Sequence, residues 1–253
     1  MPIASRFLCF ILTATLSNMV CAETLPMGKK GVGLAESAGL GADQLSALQV
    51  AWFYNWGTHT RVQQGAEFVP MAFSAKRVGD LPAKSRFVLG FNEPDNPKQA
   101  HITPETAFQA WPALVDKAEF SGAPALAKNP LSSGSWLSAF LALGASVDFI
   151  TVHWYKGIDA RKFIADLQAI CTAYRKPVWV TEFAPQTAAQ AREAPQKYSQ
   201  PEVDAFMREA TRWMATSPCV QRYAWHDAKT GTSALFDSGQ LTRTGKTYAA
   251  IAP

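Results

Sequence analysis

The stretch Arg86-Phe87-Val88-Leu89-Gly90-Phe91 is almost wholly apolar and is followed at once by the polar turn Asn92-Glu93-Pro94-Asp95. A short apolar run that ends in turn residues is typical of a buried strand. A second stretch of this kind, Pro177-Val178-Trp179-Val180-Thr181, ends in Glu182. The two stretches therefore predict buried strands that each carry a glutamate at the carboxyl end.

Six further segments along the chain have the same short apolar character, and helical or loop segments separate them. The clearest helix spans Ala160–Tyr174, with Phe163, Leu167 and Ile170 on one face. Short strands that alternate with helices indicate a parallel sheet, and eight strands at this chain length favour a closed barrel. We therefore predict an α/β fold, a single (β/α)8 TIM barrel that is compact and has short loops. The predicted strands are Gly31–Leu34, Val50–Tyr54, Phe68–Phe73, Arg86–Phe91, Ala123–Ala127, Val147–Val152, Pro177–Thr181 and Val220–Trp225.

The composition is that of a folded protein with no nucleic-acid or nucleotide partner. The chain has 253 residues, of which 48% are apolar and 17% charged, and this excludes a disordered chain. Basic residues are scattered singly or in pairs, so no nucleic-acid-binding surface is expected. Neither GxGxxG nor GxxxxGKS/T occurs, and nothing supports a nucleotide-binding α/β fold.

The first 22 residues have the pattern of a secretory signal peptide. Arg6 supplies a positive charge, Phe7–Leu16 is a short apolar run, and Val20-Cys21-Ala22 carries the small residues of a cleavage site. A membrane anchor and a lipoprotein attached at Cys21 are the alternatives, and the apolar run is too short to span a bilayer. We expect residues 1–22 to be removed, leaving a catalytic domain at 23–253. The mature protein is expected to be secreted, to the extracellular space or the periplasm, without a membrane partner.

Two cysteines, Cys171 and Cys219, remain after removal of the leader. A pair of cysteines in an exported protein predicts one disulfide, with two free buried thiols as the alternative. The four histidines are widely spaced and HExxH is absent, so neither a catalytic metal nor another cofactor is expected.

Glu93 and Glu182 follow the predicted fourth and seventh strands, which lie on roughly opposite sides of an eight-stranded barrel. Barrel enzymes act at the carboxyl ends of their strands, so these side chains can face each other across the mouth. Two facing carboxylates are the groups that glycoside hydrolysis requires, one protonated and one ionised. The alternative is a pair of capping or rim salt-bridge residues. Glu67 precedes a strand and is interpreted as structural, whereas Glu36 can reach the mouth in a supporting role.

Five segments in order resemble glycoside hydrolase family 128, whose members are β-1,3-glucanases on a compact (β/α)8 barrel. The resemblance covers most of the mature chain, and the order and spacing of the segments carry it more than the Asn-Glu-Pro motif alone. The segments are Trp52-Phe53-Tyr54-Asn55-Trp56-Gly57, Phe68-Val69-Pro70-Met71, Gly90-Phe91-Asn92-Glu93-Pro94-Asp95, His153-Trp154-Tyr155 and Trp179-Val180-Thr181-Glu182-Phe183.

The resemblance implies a role for each matching residue. Glu93 matches the general acid/base and Glu182 the nucleophile, while Asn92 would hydrogen-bond the sugar 2-hydroxyl. The other candidates for substrate binding lie at strand ends or in a loop, and core packing or a rim position is the alternative for Tyr54, Trp56 and His153. These candidates are Tyr54, Trp56, Trp136, His153, Trp154, Tyr155 and Trp225.

The function expected from this resemblance is secreted endo-β-1,3-glucanase activity with retention of configuration. The expected partners are β-1,3-glucan polysaccharides or laminarin-like oligosaccharides, bound by a monomer. Two alternatives stay open. One is a non-catalytic β-glucan-binding protein, and the other is a retaining glycosidase that acts on another β-linked glycan.

Overall fold

The computed structural model describes residues 28–252, so the predicted signal peptide at 1–22 lies outside the described residues. Eight parallel strands follow one another along the chain, most of them separated by helices. The strands are β1 (Lys30–Gly33), β2 (Trp52–Tyr54), β3 (Glu67–Phe68), β4 (Ser85–Leu89), β5 (Ala118–Gly122), β6 (Ile150–Trp154), β7 (Val178–Phe183) and β8 (Val220–His226). The helices are α1 (Ala42–Leu48), α2 (Pro104–Val115), α3 (Trp136–Ala142), α4 (Ala160–Tyr174), α5 (Ala188–Glu193), α6 (Gln200–Thr216) and α7 (Arg243–Ala249).

The strands are arranged in a ring. Six of them form one sheet in the order β3-β2-β1-β8-β7-β6, and β4 pairs with β5. Two single parallel bridges, Met71 with Leu89 and Gly122 with Phe149, join the six-stranded sheet to the β4–β5 pair at its two edges. The cyclic order is that of a (β/α)8 barrel, and the predicted fold class is confirmed. A short antiparallel hairpin, β9 (Phe236–Asp237) and β10 (Gln240–Leu241), lies between β8 and α7.

Two predicted strands differ most from the observed ones, and the ends of the other six lie within three residues of the prediction. The third is only two residues long, because Pro70 has no backbone N–H and the chain returns to the ladder at Met71 alone. The fifth lies at Ala118–Gly122 and not at 123–127, since it is the earlier segment that pairs in register with β4. The helix predicted over Ala160–Tyr174 is confirmed residue for residue.

The barrel interior is filled by aromatic and aliphatic side chains. Trp52, Phe87 and Trp179 surround the buried guanidinium of Arg222, whose carbon lies 4.4–5.4 Å from their ring centroids. Arg222 also forms an ion pair with Glu67 at the amino-terminal end of the barrel. Glu67 is therefore structural, as the sequence predicted.

Two adjacent lysines hold the ends of helices at this same end of the barrel. The Lys30 ammonium is buried and donates to the carbonyls of Tyr248 and Ala249 at the end of α7 and of Ile251 just beyond it. Lys29 donates to the carbonyls of Met214 and Ser217 at the end of α6. Cations are favoured at helix carboxyl termini because they meet unpaired carbonyls and the negative end of the helix dipole. Burial lowers the pKa of Lys30 to about 8.

A disulfide joins Cys171, near the end of α4, to Cys219, directly before β8, and confirms the predicted pairing. None of the helices between residues 28 and 252 combines the length and the apolar character needed to cross a bilayer.

Candidate active site

Glu93 lies four residues beyond β4 in a conformation that is rare for a residue with a side chain. Its φ of 41° falls in the left-handed region, which costs a non-glycine residue about 1–3 kcal/mol. The Glu93 amide donates to the carbonyl of Ala125 at 2.8 Å, and Asn96 Nδ2 donates to Glu93 Oε2 at 2.8 Å. These contacts hold the carboxylate at the mouth of the barrel.

Glu182 points into the barrel because of a β-bulge in β7. Val180 pairs with Val152 on β6, but the next pair is Glu182 with His153, so Thr181 is an extra residue. The extra residue reverses the alternation of side chains, a known use of bulges beside active sites. Val180 and Phe183 pack in the core cluster that includes the helices, whereas Glu182 lines the cleft.

Three side chains donate hydrogen bonds to the Glu182 carboxylate. Trp56 Nε1 and the Tyr54 hydroxyl donate to Oε1 at 2.8 and 3.2 Å, and the Tyr155 hydroxyl donates to Oε2 at 2.5 Å. His226 Nδ1 lies 3.7 Å from Oε2. Hydrogen bonds to an ionised group are short and strong, so this arrangement stabilises and orients a carboxylate anion.

The surroundings of Glu182 favour its ionised form. Burial alone would raise its pKa, but the charges of His153 and His226 and the bonds from Tyr155 and Trp56 outweigh burial and lower the pKa to about 2. Burial and the nearby Glu182 charge raise the pKa of Tyr54 and of Tyr155 well above the usual value. Both tyrosines therefore remain donors at neutral pH.

His153 lies between the two carboxylates. Its Nδ1 is 3.0 Å from Glu93 Oε1 and 3.5 Å from Glu182 Oε2. Burial acts to lower the pKa of His153, but the charge of Glu182 and the bond to Glu93 outweigh it and raise the pKa. One atom from each of the three groups lies within 4.8 Å of the other two. This closeness would also suit a cation, but most of the oxygens and Nδ1 already have protein partners.

The carboxylates lie at the side of a cleft of about 610 Å³. Asn92 lines this cleft. Its Oδ1 has no hydrogen-bond partner among residues 28–252, and its Nδ2 donates to Gln99 Oε1 at 3.3 Å. The structure thus brings five predicted residues to the two glutamates: Tyr54, Trp56, Asn92, His153 and Tyr155.

Three predicted substrate-binding tryptophans do not line the cleft. Trp225 is fully buried against Phe183 and donates to the carbonyl of Ser233 at 3.0 Å. Trp154 is buried against Phe163 of α4. Both were predicted from their positions at strand ends, but alternation along a strand turns them toward the helices and their neighbours inward.

Trp136 also lies away from the carboxylates. It opens α3, stacks on Phe140 with ring centroids 5.2 Å apart, and donates to the carbonyl of Ile102 at 2.7 Å. These contacts place it between α3 and the segment before α2, in a helix and not in the mobile loop that the sequence suggested.

His226 and Glu36 both line the cleft, although the sequence pattern did not point to His226 and gave Glu36 only a supporting role. His226 directly follows Trp225 on β8, so side-chain alternation places the two on opposite faces of the strand. Had Trp225 been assigned to the helix side, His226 would have been predicted to face the cleft. Glu36 accepts three hydrogen bonds from the loop after β2, a set of contacts that no local pattern indicates.

The ring of parallel strands and the two facing glutamates at its carboxyl end define a (β/α)8 glycoside hydrolase. The family pattern for the glycosyl hydrolase catalytic core matches residues 33–248. The chain belongs to glycoside hydrolase family 128.

Solved structures of this family are similar over most of the chain. A subgroup I endo-β-1,3-glucanase from Amycolatopsis mediterranei, in complex with laminaripentaose, is 31% identical with a TM-score of 0.77, covering 88% of this chain and 99% of that one. A subgroup II endo-β-1,3-glucanase from Sorangium cellulosum is 25% identical with a TM-score of 0.68, covering 89% and 98%.

A subgroup VII oligosaccharide-binding protein from Trichoderma gamsii has 24% identity and a TM-score of 0.72, covering 88% of this chain and 92% of its own. At that identity the likeness concerns the fold alone. No curated protein sequence matches the chain.

Proposed function

We propose that the protein is a secreted endo-β-1,3-glucanase that retains anomeric configuration, with Glu182 as nucleophile and Glu93 as general acid/base. The observation that carries this proposal is the closeness of the two carboxylates, which have oxygens within 4.8 Å of each other. Carboxyl groups about 5 Å apart suit retention, whereas inversion needs a wider gap for a water molecule.

The reaction is a double displacement. Glu182 attacks the anomeric carbon while Glu93 donates its proton to the glycosidic oxygen, so that bond breaks as the glycosyl-enzyme ester forms. Glu93, now a carboxylate, takes a proton from water as the water oxygen attacks the same carbon and releases Glu182. The low pKa of Glu182 supports its assignment as the group that is ionised at rest.

The remaining polar groups have roles in this scheme. Asn92 Oδ1 accepts from the sugar 2-hydroxyl, a contact that strengthens as the transition state forms. Tyr54, Trp56 and Tyr155 orient the nucleophile through their bonds to its oxygens. These donors also stabilise Glu182 when it leaves the ester as an anion.

The substrate and the mode of cleavage rest on the family and its relatives. The Amycolatopsis mediterranei and Sorangium cellulosum proteins are endo-β-1,3-glucanases, and the former binds laminari-oligosaccharides. The low charge of the chain fits a neutral polymer. The export pattern of residues 1–22 and the disulfide support secretion, and we propose a monomer without cofactor.

A substrate panel tests this proposal: laminarin, curdlan, pachyman, lichenan, xylan and carboxymethylcellulose, assayed for reducing ends and product length. We expect a ladder of laminari-oligosaccharides from the β-1,3-glucans only. Release of a single short product would indicate exo action. Turnover of xylan or carboxymethylcellulose alone would identify another glycan. Affinity for laminarin without release of reducing ends would identify a binding protein.

A further inference from the structure

Glu36, in the short turn Glu36–Ala38 after β1, ties two loops of the barrel mouth together. Its Oε1 accepts from Asn55 Nδ2 at 2.8 Å and from the Thr60 hydroxyl at 2.5 Å. Its Oε2 accepts from the backbone amide of Arg61 at 3.0 Å. All three donors belong to the segment 55–61 after β2, so one carboxylate holds both ends of that segment.

Trp56 lies between these points of attachment in a strained conformation. Its φ is 60°, in the left-handed region that a bulky side chain rarely adopts. Asn55 reinforces the turn, since its side chain donates to the carbonyl of His59 and accepts from the amide of Gly57. Such a conformation persists only where the surrounding contacts determine it.

The Trp56 ring is confined from two other sides. Its edge meets Tyr54 and His226, with centroids 5.0 and 5.8 Å apart. A side chain at Gly33 on β1 would place its Cβ 2.9 Å from the ring, so glycine is needed there. The confined ring directs Nε1 at Glu182 Oε1, 2.8 Å away.

We propose that Glu36 is a positioning residue for the nucleophile: its carboxylate holds segment 55–61 in the conformation that brings the Trp56 indole to Glu182. This inference rests on the proposed function only for its effect on catalysis. The structural part of the proposal is that the hydrogen bond from Trp56 to Glu182 is lost when Glu36 is removed. This part does not depend on turnover.

Removal of Glu36 has a graded effect, because other groups still face Glu182. Tyr54 from β2 and Tyr155 from the end of β6 continue to donate to it, and His153 and His226 remain within 4 Å. Glu93 faces it across the mouth. Loss of the Trp56 bond removes one of the contacts that lower the pKa of Glu182, so that pKa rises.

The first experiment compares Glu36→Ala with Glu36→Gln on laminarin across pH 3–8. We expect kcat to fall about tenfold or more in Glu36→Ala with KM little changed, because a misplaced group costs rate rather than uniform binding. The acidic limb of kcat/KM should move to higher pH. Glu36→Gln keeps an oxygen that can accept from Asn55 and Thr60, so its kcat should lie between those of the wild type and Glu36→Ala.

The matched control is Glu202→Ala. Glu202 also accepts from a backbone amide and a hydroxyl, those of Ser199 at the exposed start of α6, and neither residue lines the cleft. It should leave both kcat and the pH profile unchanged. A double-mutant cycle of Glu36→Ala with Trp56→Phe, which keeps a ring but cannot donate, should be strongly non-additive.

Two kinetic results would overturn the proposal. A rise in KM with unchanged kcat would make Glu36 a glycan-binding residue, and additive losses in the cycle would separate it from Trp56. A crystal structure of Glu36→Ala decides the matter even if the wild type hydrolyses no glucan. In that structure the backbone of Trp56 should leave the left-handed region, and its hydrogen bond to Glu182 should be absent. An unchanged Trp56–Glu182 hydrogen bond would refute this inference and leave the proposed function untouched.

Discussion

The imidazole Nδ1 of His153 lies 3.0 Å from Oε1 of Glu93, and the same atom lies 3.5 Å from Glu182. One buried ring thus contacts both carboxylates of the pair. Its positive charge is favoured by Glu182, and in return it lowers the pKa of that nucleophile. The imidazole therefore couples its own charge to that of Glu182 while it bonds to Glu93.

The substitution His153→Phe should remove this coupling while keeping a ring in the same space. Without the imidazolium the pKa of Glu182 rises, so we expect the acidic limb of kcat/KM to move to higher pH and kcat to fall about 100-fold. Kinetics on laminarin between pH 3 and 8 measure both effects. His101→Asn is the control, since His101 is exposed, and an unshifted acidic limb in His153→Phe would contradict the assignment.

The free energy of unfolding should depend on pH through the Glu182–His153 pair. The folded pKa of Glu182, about 2, lies below its ordinary 4.5, so its contribution is present above pH 4.5 and is lost as the pH falls toward 2. The pKa of His153 is raised above 6.5, so its contribution is present below 6.5 and is lost as the pH rises through the folded value. The pair should stabilise most between pH 4.5 and 6.5.

Urea unfolding of wild type and Glu182→Gln from pH 2.5 to 8 measures this dependence. The difference in free energy of unfolding should decrease by roughly 2 kcal/mol between pH 5 and pH 2.5, because the folded pKa of about 2 lies just below that range. Parallel curves for the two proteins over that range would show that Glu182 does not titrate with a lowered pKa.

Azide should distinguish the roles of the two glutamates. Glu182→Gln should lose about 10³-fold or more in kcat, because no carboxylate remains to form the ester. With Glu182→Ala and an activated β-glucoside, azide can enter the vacated side and should yield an α-glucosyl azide. With Glu93→Ala, azide should attack the ester and yield the β-anomer. Exchange of the two products, read by proton NMR, would reverse the assignment.

The disulfide should contribute stability without affecting catalysis. It closes a loop of 48 residues, which corresponds to about 4 kcal/mol on the chain-entropy scale. Replacing both Cys171 and Cys219 by serine should therefore lower Tm by roughly 8–16 °C. Because Cys219 precedes β8, at the end of the barrel opposite the carboxylates, kcat on laminarin at 25 °C should be unchanged. A loss of activity in the folded variant would contradict this separation.

The buried Lys30 should be a second large contributor to stability. Lys30→Met keeps the stem but leaves the last carbonyls of α7 without their charged donor, and we expect a loss of about 2 kcal/mol in the free energy of unfolding. Lys246→Met is the control, since Lys246 is exposed on the same helix. Equal effects of the two substitutions would show that the carbonyl contacts contribute nothing specific.

Much of the fold could be predicted because the signals for it are local. The apolar run of β4 and the turn residues after it place Glu93 at a strand end, and the spacing of Phe163, Leu167 and Ile170 defines α4. The fifth strand was misplaced by several residues, because an apolar stretch does not show which part of it meets the neighbouring strand. That register depends on pairing with β4, some 33 residues earlier in the chain.

The sequence by itself predicted that two glutamates follow opposite strands of a barrel and that Cys171 and Cys219 pair, because the signals for both are local. Only the tertiary structure decided which side chains reach the cleft. Both faces of a barrel strand are buried, so hydrophobicity does not show which face is inside, and Trp225 was assigned to the wrong one. The extra residue Thr181 in β7 then turns Glu182 inward, against simple alternation. Glu36 reaches the nucleophile only through a loop folded against it, because contacts between distant segments are set by the packing of the whole barrel.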